Sequence, residues 1–194
     1  MPILLVEGTC GAGKTTLSNA LARREGVQLL PQRLTYGVVA PLEQLRALDD
    51  GLNHVLLGRL VDWLKRNDRP ERWMVVDSLH LTQWVRPGVL GLASFASIDK
   101  QLARIGARGV LLTVSPELVR QRAIAGRANT PFRTYAAKWA PDDETLHARF
   151  VKEQETMREV CGISLMKWDL LDGGLPVDAL ADAVWSLVGA LPSP

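Results

Sequence analysis

Short apolar runs alternate along this chain with longer stretches whose apolar residues recur every three or four positions. The runs are Ile3–Glu7, Val27–Leu30, Trp73–Asp77, Arg108–Val114 and Ile163–Trp168. Near-continuous hydrophobicity over four to seven residues predicts strands buried on both faces, as in a parallel sheet. Helical spacing is predicted over Lys14–Arg24, where Leu17, Ala20 and Leu21 share a face, and over Leu42–Asn67, where Leu52, Val55, Leu56, Leu60, Trp63 and Leu64 do. It returns over Asp142–Val160 and Val177–Gly189, and Gly88–Ala107 reads as mostly helical. Ser115-Pro116-Glu117 opens another helix, with a hydroxyl N-cap and proline in the first turn. Pro31–Gly37 reads as a loop, and Asp172-Gly173-Gly174 as a turn. The alternation predicts one α/β domain over residues 1–194, with a five-stranded, mainly parallel sheet flanked by helices.

The first strand runs into Glu7-Gly8-Thr9-Cys10-Gly11-Ala12-Gly13-Lys14-Thr15-Thr16, which fits G-x-x-x-x-G-K-[ST] at every fixed position. A strand before and a helix after are the setting in which this pattern is a phosphate-binding loop. Its glycines let successive backbone N–H groups converge on an anion, and the helix start adds partial positive charge. Lys14 is then expected on the β- and γ-phosphates, and the Thr15 hydroxyl on Mg²⁺. The chain is expected to bind a nucleoside triphosphate through Gly8, Thr9, Cys10, Gly11, Ala12, Gly13, Lys14, Thr15 and Thr16.

The third run ends in Asp77. A carboxylate at a buried strand end can hold the same Mg²⁺ or take a proton from an attacking hydroxyl; it can also cap a following helix, Ser78–Val85. Glu7 can orient an acceptor, act as the base, or be a paired structural residue. His80 lies one helical turn from Asp77 and can touch substrate or pack internally. Tyr36 and Trp84 are the aromatic candidates for stacking on a flat ring.

Charge and composition narrow the partners. Of 194 residues, 47% are hydrophobic and 23% charged, and the net charge of +2 implies no nucleic-acid partner by itself. No run is long enough to span a bilayer, and Met1-Pro2 leads straight into a strand without a signal sequence. Cys10 and Cys161 are the two cysteines, and one sits inside the phosphate loop. A cytoplasmic protein without disulfides, zinc or membrane contact is expected.

The order of elements, the loop at Gly8–Thr15, the strand Met74–Asp77 and the arginine-bearing segment Arg120–Arg127 together resemble the nucleoside and nucleotide kinases of the phosphate-loop class. The resemblance is especially to thymidylate-kinase-like and deoxynucleoside-kinase-like chains. The resemblance implies a five-stranded parallel sheet, ATP and Mg²⁺ as cofactors, and transfer of the γ-phosphoryl group to a small-molecule acceptor, a nucleotide or nucleoside. It implies a helical lid over about 120–140, with Arg120, Arg122 and Arg127 gripping phosphates, although a solvated basic helix has the same composition. Arg33 and Arg59 fall where the family often carries substrate-binding arginines. Many members are dimers, so a homodimer is compatible with the resemblance.

The departures concern the acceptor. Asp77 is followed by Ser78-Leu79-His80 where thymidylate kinases commonly have Asp-Arg, Cys10 replaces an acidic loop residue, and no Arg-Glu-Pro run surrounds Arg33. Thymidylate is therefore not implied, and an antibiotic or other metabolite stays open as acceptor. A GTPase would carry Asn-Lys-x-Asp after a strand, which this chain lacks. An ATPase motor part would usually bring more domain or an interaction tail, and a nucleotide sensor would keep the loop without acceptor chemistry.

Overall fold

A computed structural model describes residues 3–37, 50–67, 69, 71–85, 91–130, 132, 136 and 140–188, with the backbone alone at 33, 36, 37 and 50–53. Five strands, β1 (Ile3–Gly8), β2 (Val27–Leu30), β3 (Trp73–Asp77), β4 (Arg108–Thr113) and β5 (Lys167–Asp172), form one sheet in the order β2-β3-β1-β4-β5. Every neighbouring pair is parallel.

The helices are α1 (Lys14–Leu21), α2 (Gln32–Gly37), α3 (Asp50–Arg66), α4 (His80–Val85), α5 (Leu92–Arg104), α6 (Pro116–Val119), α7 (Asp143–Cys161) and α8 (Val177–Val188). Alternate strand residues feed two cores, one on each face of the sheet. Leu4, Val6, Val75, Val110 and Leu112 meet Leu17 and Leu21 of α1, Phe150 of α7 and Val184 of α8. Ile3, Leu5, Met74, Val76 and Leu111 meet Leu57 and Leu64 of α3 and Ile98 and Leu102 of α5. Burial on both faces is why β1 and β3 are apolar almost throughout.

Several elements differ from the sequence expectation. The fifth strand is Lys167–Asp172 rather than Ile163–Trp168. Ile163 and Leu165 are 75% and 66% exposed in the connection before it, so they belong to no sheet face. The strand itself lies on the sheet edge, and its mixed polar pattern reflects that. Trp168 lies directly opposite Gly109 of β4, and its ring fills the space where a Cβ on that glycine would stand, 2.1 Å from Cε3. Residues 32–37 form α2 rather than a loop. The first helix stops at Leu21, and a turn covers Ala22–Gly26. Helix α4 starts at His80 rather than Ser78, because Ser78 takes the left-handed conformation at φ 63°. The expected long helix is described from Asp50 onward; residues 42–49 lie outside the described residues.

Candidate active site

The carboxyl ends of β1 and β3 carry the two halves of the site. Beyond β1 the chain turns sharply at Gly8, where a Cβ would stand 2.7 Å from Leu112 O of β4. The loop re-enters helix at Gly13, whose φ of 95° is left-handed and suits only a residue without a side chain. Helix α1 therefore begins at Lys14, with its first-turn N–H groups aimed back over the loop. Thr9 Oγ1 donates to Phe150 O at 3.1 Å, which ties the loop to α7 from 141 positions away. Ala12 is fully buried, and Cys10 packs against the same core.

Lys14 Nζ donates to Gly8 O at 2.7 Å and to Thr9 O at 3.0 Å. The ammonium is thus folded over the loop carbonyls, beside the amide cradle. Thr15 Oγ1 donates to Asp77 Oδ2 at 2.7 Å. Ser78 Oγ donates to Asp77 Oδ1 at 3.3 Å. The loop hydroxyl and the strand-end carboxylate are therefore adjacent, and both offer oxygen.

An oxygen pair of this kind fits Mg²⁺, which takes hard oxygen ligands from one or two protein groups and fills its other positions with water and phosphate. Among the described residues no group of three or more His, Cys, Asp or Glu could hold a metal, so no all-protein cage competes with that arrangement.

A cavity of about 520 Å³ opens beside the loop. Gly11, Gly13 and Thr16 form its floor, Arg122 and Arg127 one side, and Gly173 through Val177 with Leu180 the other. The basic side comes from the continuation of α6, a π-helical turn over Arg120–Ile124 followed by a tight turn over Ala125–Arg127. Wide turns of this type recur at functional sites. Arg122 NH1 donates to Gly173 O at 2.7 Å, bridging this segment to the β5–α8 connection. The Arg127 guanidinium carbon lies 4.8 Å from the centre of the Phe132 ring.

The β5–α8 connection is the part that sequence reasoning missed, treating Asp172-Gly173-Gly174 only as a turn. A Cβ at Gly173 would stand 2.5 Å from Ala12 O, so this glycine lets the connection lie directly against the phosphate loop. Two glycines following a strand that neighbours the loop's own sheet partner were the available signal.

Several expected site residues stand elsewhere. Arg120 is directed to α7: its NH1 and NH2 donate to Glu144 Oε1 at 2.5 Å and Oε2 at 2.7 Å. It does not line the cavity, because residues two apart on a helical turn face nearly opposite ways. His80 is fully buried, 3.2 Å from Asp99 Oδ1 and stacked on Phe95 at 5.0 Å between ring centres. Asp99 also accepts from Ser164 Oγ at 2.5 Å and Leu165 N at 2.7 Å, so His80 joins α4 to α5 and to the approach to β5. Trp84 packs on Phe95 at 5.4 Å and is half-buried. Arg59 is exposed on α3, two positions from the inward-facing Leu57 and Val61. Glu7 is fully buried and directed at α4, with Oε1 accepting from Leu79 N at 2.7 Å and Oε2 from the Thr82 hydroxyl. Arg33 and Tyr36 fall on α2, and their side chains lie outside the described residues, as do residues 131, 133–135 and 137–139 of the expected lid.

No protein-family model matches the sequence, and no curated protein matches it. Solved structures match it over nearly its whole length. The YorR protein of Bacillus subtilis, in complex with phosphorylated GDP, superposes with a TM-score of 0.67 at 14% identity, covering 96% of this chain and 95% of that one. Shikimate kinase from Bacteroides thetaiotaomicron gives 0.65 at 14% identity, covering 96% and 98%. Deoxyadenosine kinase from M. mycoides, with dCMP and dCDP bound, gives 0.58 at 14% identity, covering 96% and 98%. At these identities the likeness establishes architecture: the chain has the fold of the phosphate-loop kinases.

Proposed function

We propose that the protein is a Mg²⁺-dependent phosphotransferase that moves the γ-phosphoryl group of ATP to a small-molecule acceptor, a nucleotide or nucleoside. The observation that carries this reading is the meeting of Thr15 Oγ1 and Asp77 Oδ2 at 2.7 Å across 62 positions. A phosphate loop alone serves many proteins; a carboxylate beside its metal-binding hydroxyl supplies what transfer chemistry needs. Similarity in fold to a deoxyadenosine kinase and to shikimate kinases supports the same class.

In this reading the amides of Gly11–Thr15 cradle the β-phosphate, and Lys14 leaves Gly8 O and Thr9 O to hold the β- and γ-phosphate oxygens. Thr15 and Asp77 would hold Mg²⁺, whose charge offsets that on the phosphate oxygens when bound. The acceptor oxygen forms a bond to the γ-phosphorus as the bond to the β–γ bridging oxygen breaks, and ADP leaves. The acceptor's hydroxyl proton passes to Asp77. Arg122 and Arg127, on the cavity wall, stabilise charge on the moving group and shield it from water. The cavity between these arginines and Gly173–Val177 takes the nucleoside part of ATP. The acceptor lies over the ends of β2 and β3, near α2 and α4.

A non-nucleotide alcohol is the second reading. It is favoured by the shikimate kinases of the same fold, one of them, from Acinetobacter baumannii, holding shikimate at a TM-score of 0.60. The test is ATP consumption with Mg²⁺ against nucleoside monophosphates, nucleosides, shikimate-like cyclic alcohols and hydroxyl-bearing antibiotics. A phosphorylated nucleotide or nucleoside is expected. A phosphorylated alcohol selects the second reading, and hydrolysis without any phosphorylated product rejects both in favour of an ATPase or sensor.

A further inference from the structure

We infer that Glu7, although it stands one residue before the phosphate loop, is a positioning residue that fixes the turn carrying Asp77, and is not the base. The inference rests on the phosphotransferase reading above. It starts from direction. Both carboxylate oxygens of Glu7 are filled from α4 and the residue before it: Oε1 by Leu79 N–H at 2.7 Å and Oε2 by the Thr82 hydroxyl. Neither faces the loop that Glu7 precedes. Asp77 has the opposite arrangement. Its Oδ2 accepts from Thr15, a residue of the loop itself, and among the described residues its other oxygen has only the long bond from Ser78. Of the two carboxylates only Asp77 is joined to the phosphate site.

The turn between them explains why a carboxylate is needed. Val6 and Asp77 are paired in the β1–β3 register, and Ser78 N still donates to Val6 O at 3.0 Å. At the next step the chain leaves the sheet through a left-handed Ser78, a conformation unfavourable for a residue with a side chain. Leu79 and Thr82 are both buried, so their N–H and hydroxyl need a partner within the protein. Glu7 accepts from both and so holds the strained turn from the far side, as Thr15 holds Asp77 from the near side. Leu79 and Leu81 pack fully buried beside it, so the peptide has no alternative solvent partner.

Glu7→Gln and Glu7→Ala separate this role from a chemical one. Glutamine can still accept from Leu79 N–H through Oε1 and donate to the Thr82 oxygen through Nε2; alanine can do neither. Glu7→Gln is expected to keep kcat within about fivefold of the parent, whereas Glu7→Ala loses about 30-fold or more with less change in KM for ATP. Two further readouts need no turnover. Hydrogen exchange at the amides of 78–82 should accelerate at least about tenfold in Glu7→Ala and stay near parental in Glu7→Gln. The Mg²⁺ concentration for half-maximal binding of a fluorescent ATP analogue should rise in Glu7→Ala alone. Where Glu7→Ala does not fold, Thr82→Val removes one of the two bonds and is expected to give the same changes in smaller size. Loss of turnover in Glu7→Gln as deep as in Asp77→Asn overturns the inference, as do unchanged exchange and Mg²⁺ dependence in Glu7→Ala. If the parent protein phosphorylates no acceptor, the phosphotransferase reading fails, while exchange and Mg²⁺-dependent binding still decide the role of Glu7.

Discussion

Thr15 Oγ1 and Asp77 Oδ2 meet at 2.7 Å although 62 positions separate them, and the contact joins the start of α1 to the end of β3. Asp77→Asn keeps the size of the side chain and removes its charge. It is expected to lower kcat about 10²–10³-fold while weakening nucleotide binding less than about tenfold. Steady-state kinetics and direct binding of a fluorescent ATP analogue separate the two effects. Near-parental turnover in this variant removes both the metal and the proton roles given to Asp77.

Gly173 lies against the phosphate loop closely enough that a Cβ would meet Ala12 O at 2.5 Å and Val114 Cγ1 at 3.0 Å. Gly173→Ala must push the two segments apart. Nucleotide affinity is expected to fall about tenfold or more, with a stability loss of about 1–3 kcal/mol from overpacking. Gly174→Ala provides the contrast, since its added atom would meet chiefly the side chains of Asp172 and Leu118. Calorimetric titration with ATP and urea unfolding of both variants measure the difference.

At the sheet edge, Gly109 and Trp168 make a pair whose two substitutions should not add. Gly109→Ala places a methyl group inside the indole and is expected to cost about 1–3 kcal/mol. Trp168→Ala costs about 3 kcal/mol or more through lost packing. In the double variant the added methyl has room, so the combined loss is expected to be smaller than the sum by about 1–3 kcal/mol. A urea-unfolding cycle over the four proteins reads this directly; additive losses show that the ring lies elsewhere.

Acid should act through Asp99. Burial raises its pKa, but the bonds from His80, Ser164 and Leu165 N–H outweigh burial and hold the carboxyl below its ordinary value. The unfolded chain therefore takes up this proton more readily than the folded one. The resulting stability is complete above the ordinary value of 3.8 and disappears as pH falls through the lower, folded value. Asp99→Asn is expected to be less stable at pH 7 and to lose less than the parent on acidification below about pH 4. Urea midpoints measured from pH 7 to pH 3 test both parts.

How far the sequence could be read depended on the range of each interaction. The loop over Glu7–Thr16 was legible as a strand–loop–helix turn because its pattern sits in ten consecutive residues with a strand before and a helix after. Asp77 was legible because a single carboxylate closes an otherwise apolar strand. Arg120 and Arg122 look equivalent in sequence, yet the turn that carries them sends one to Glu144 and the other to Gly173 O. His80 seemed close to the site by position; its partner Asp99 lies 19 residues later and draws it inward. The fifth strand was displaced because Ile163 and Leu165 are apolar but exposed, while the true strand mixes charged and apolar residues at an edge. Gly173 acquires its role only when β5 is known to lie beside β4.

The central place of β1 has a consequence for folding. Its hydrogen-bonding neighbours are β3 and β4, and the loop that follows it is tied through Thr9 to Phe150. The loop's frame is thus built from chain far along the sequence from it. A fragment ending before Phe150 has the complete motif but neither the full sheet nor the whole of α7 to hold it. The loop accordingly reaches its final geometry only when the second half of the chain folds against the first.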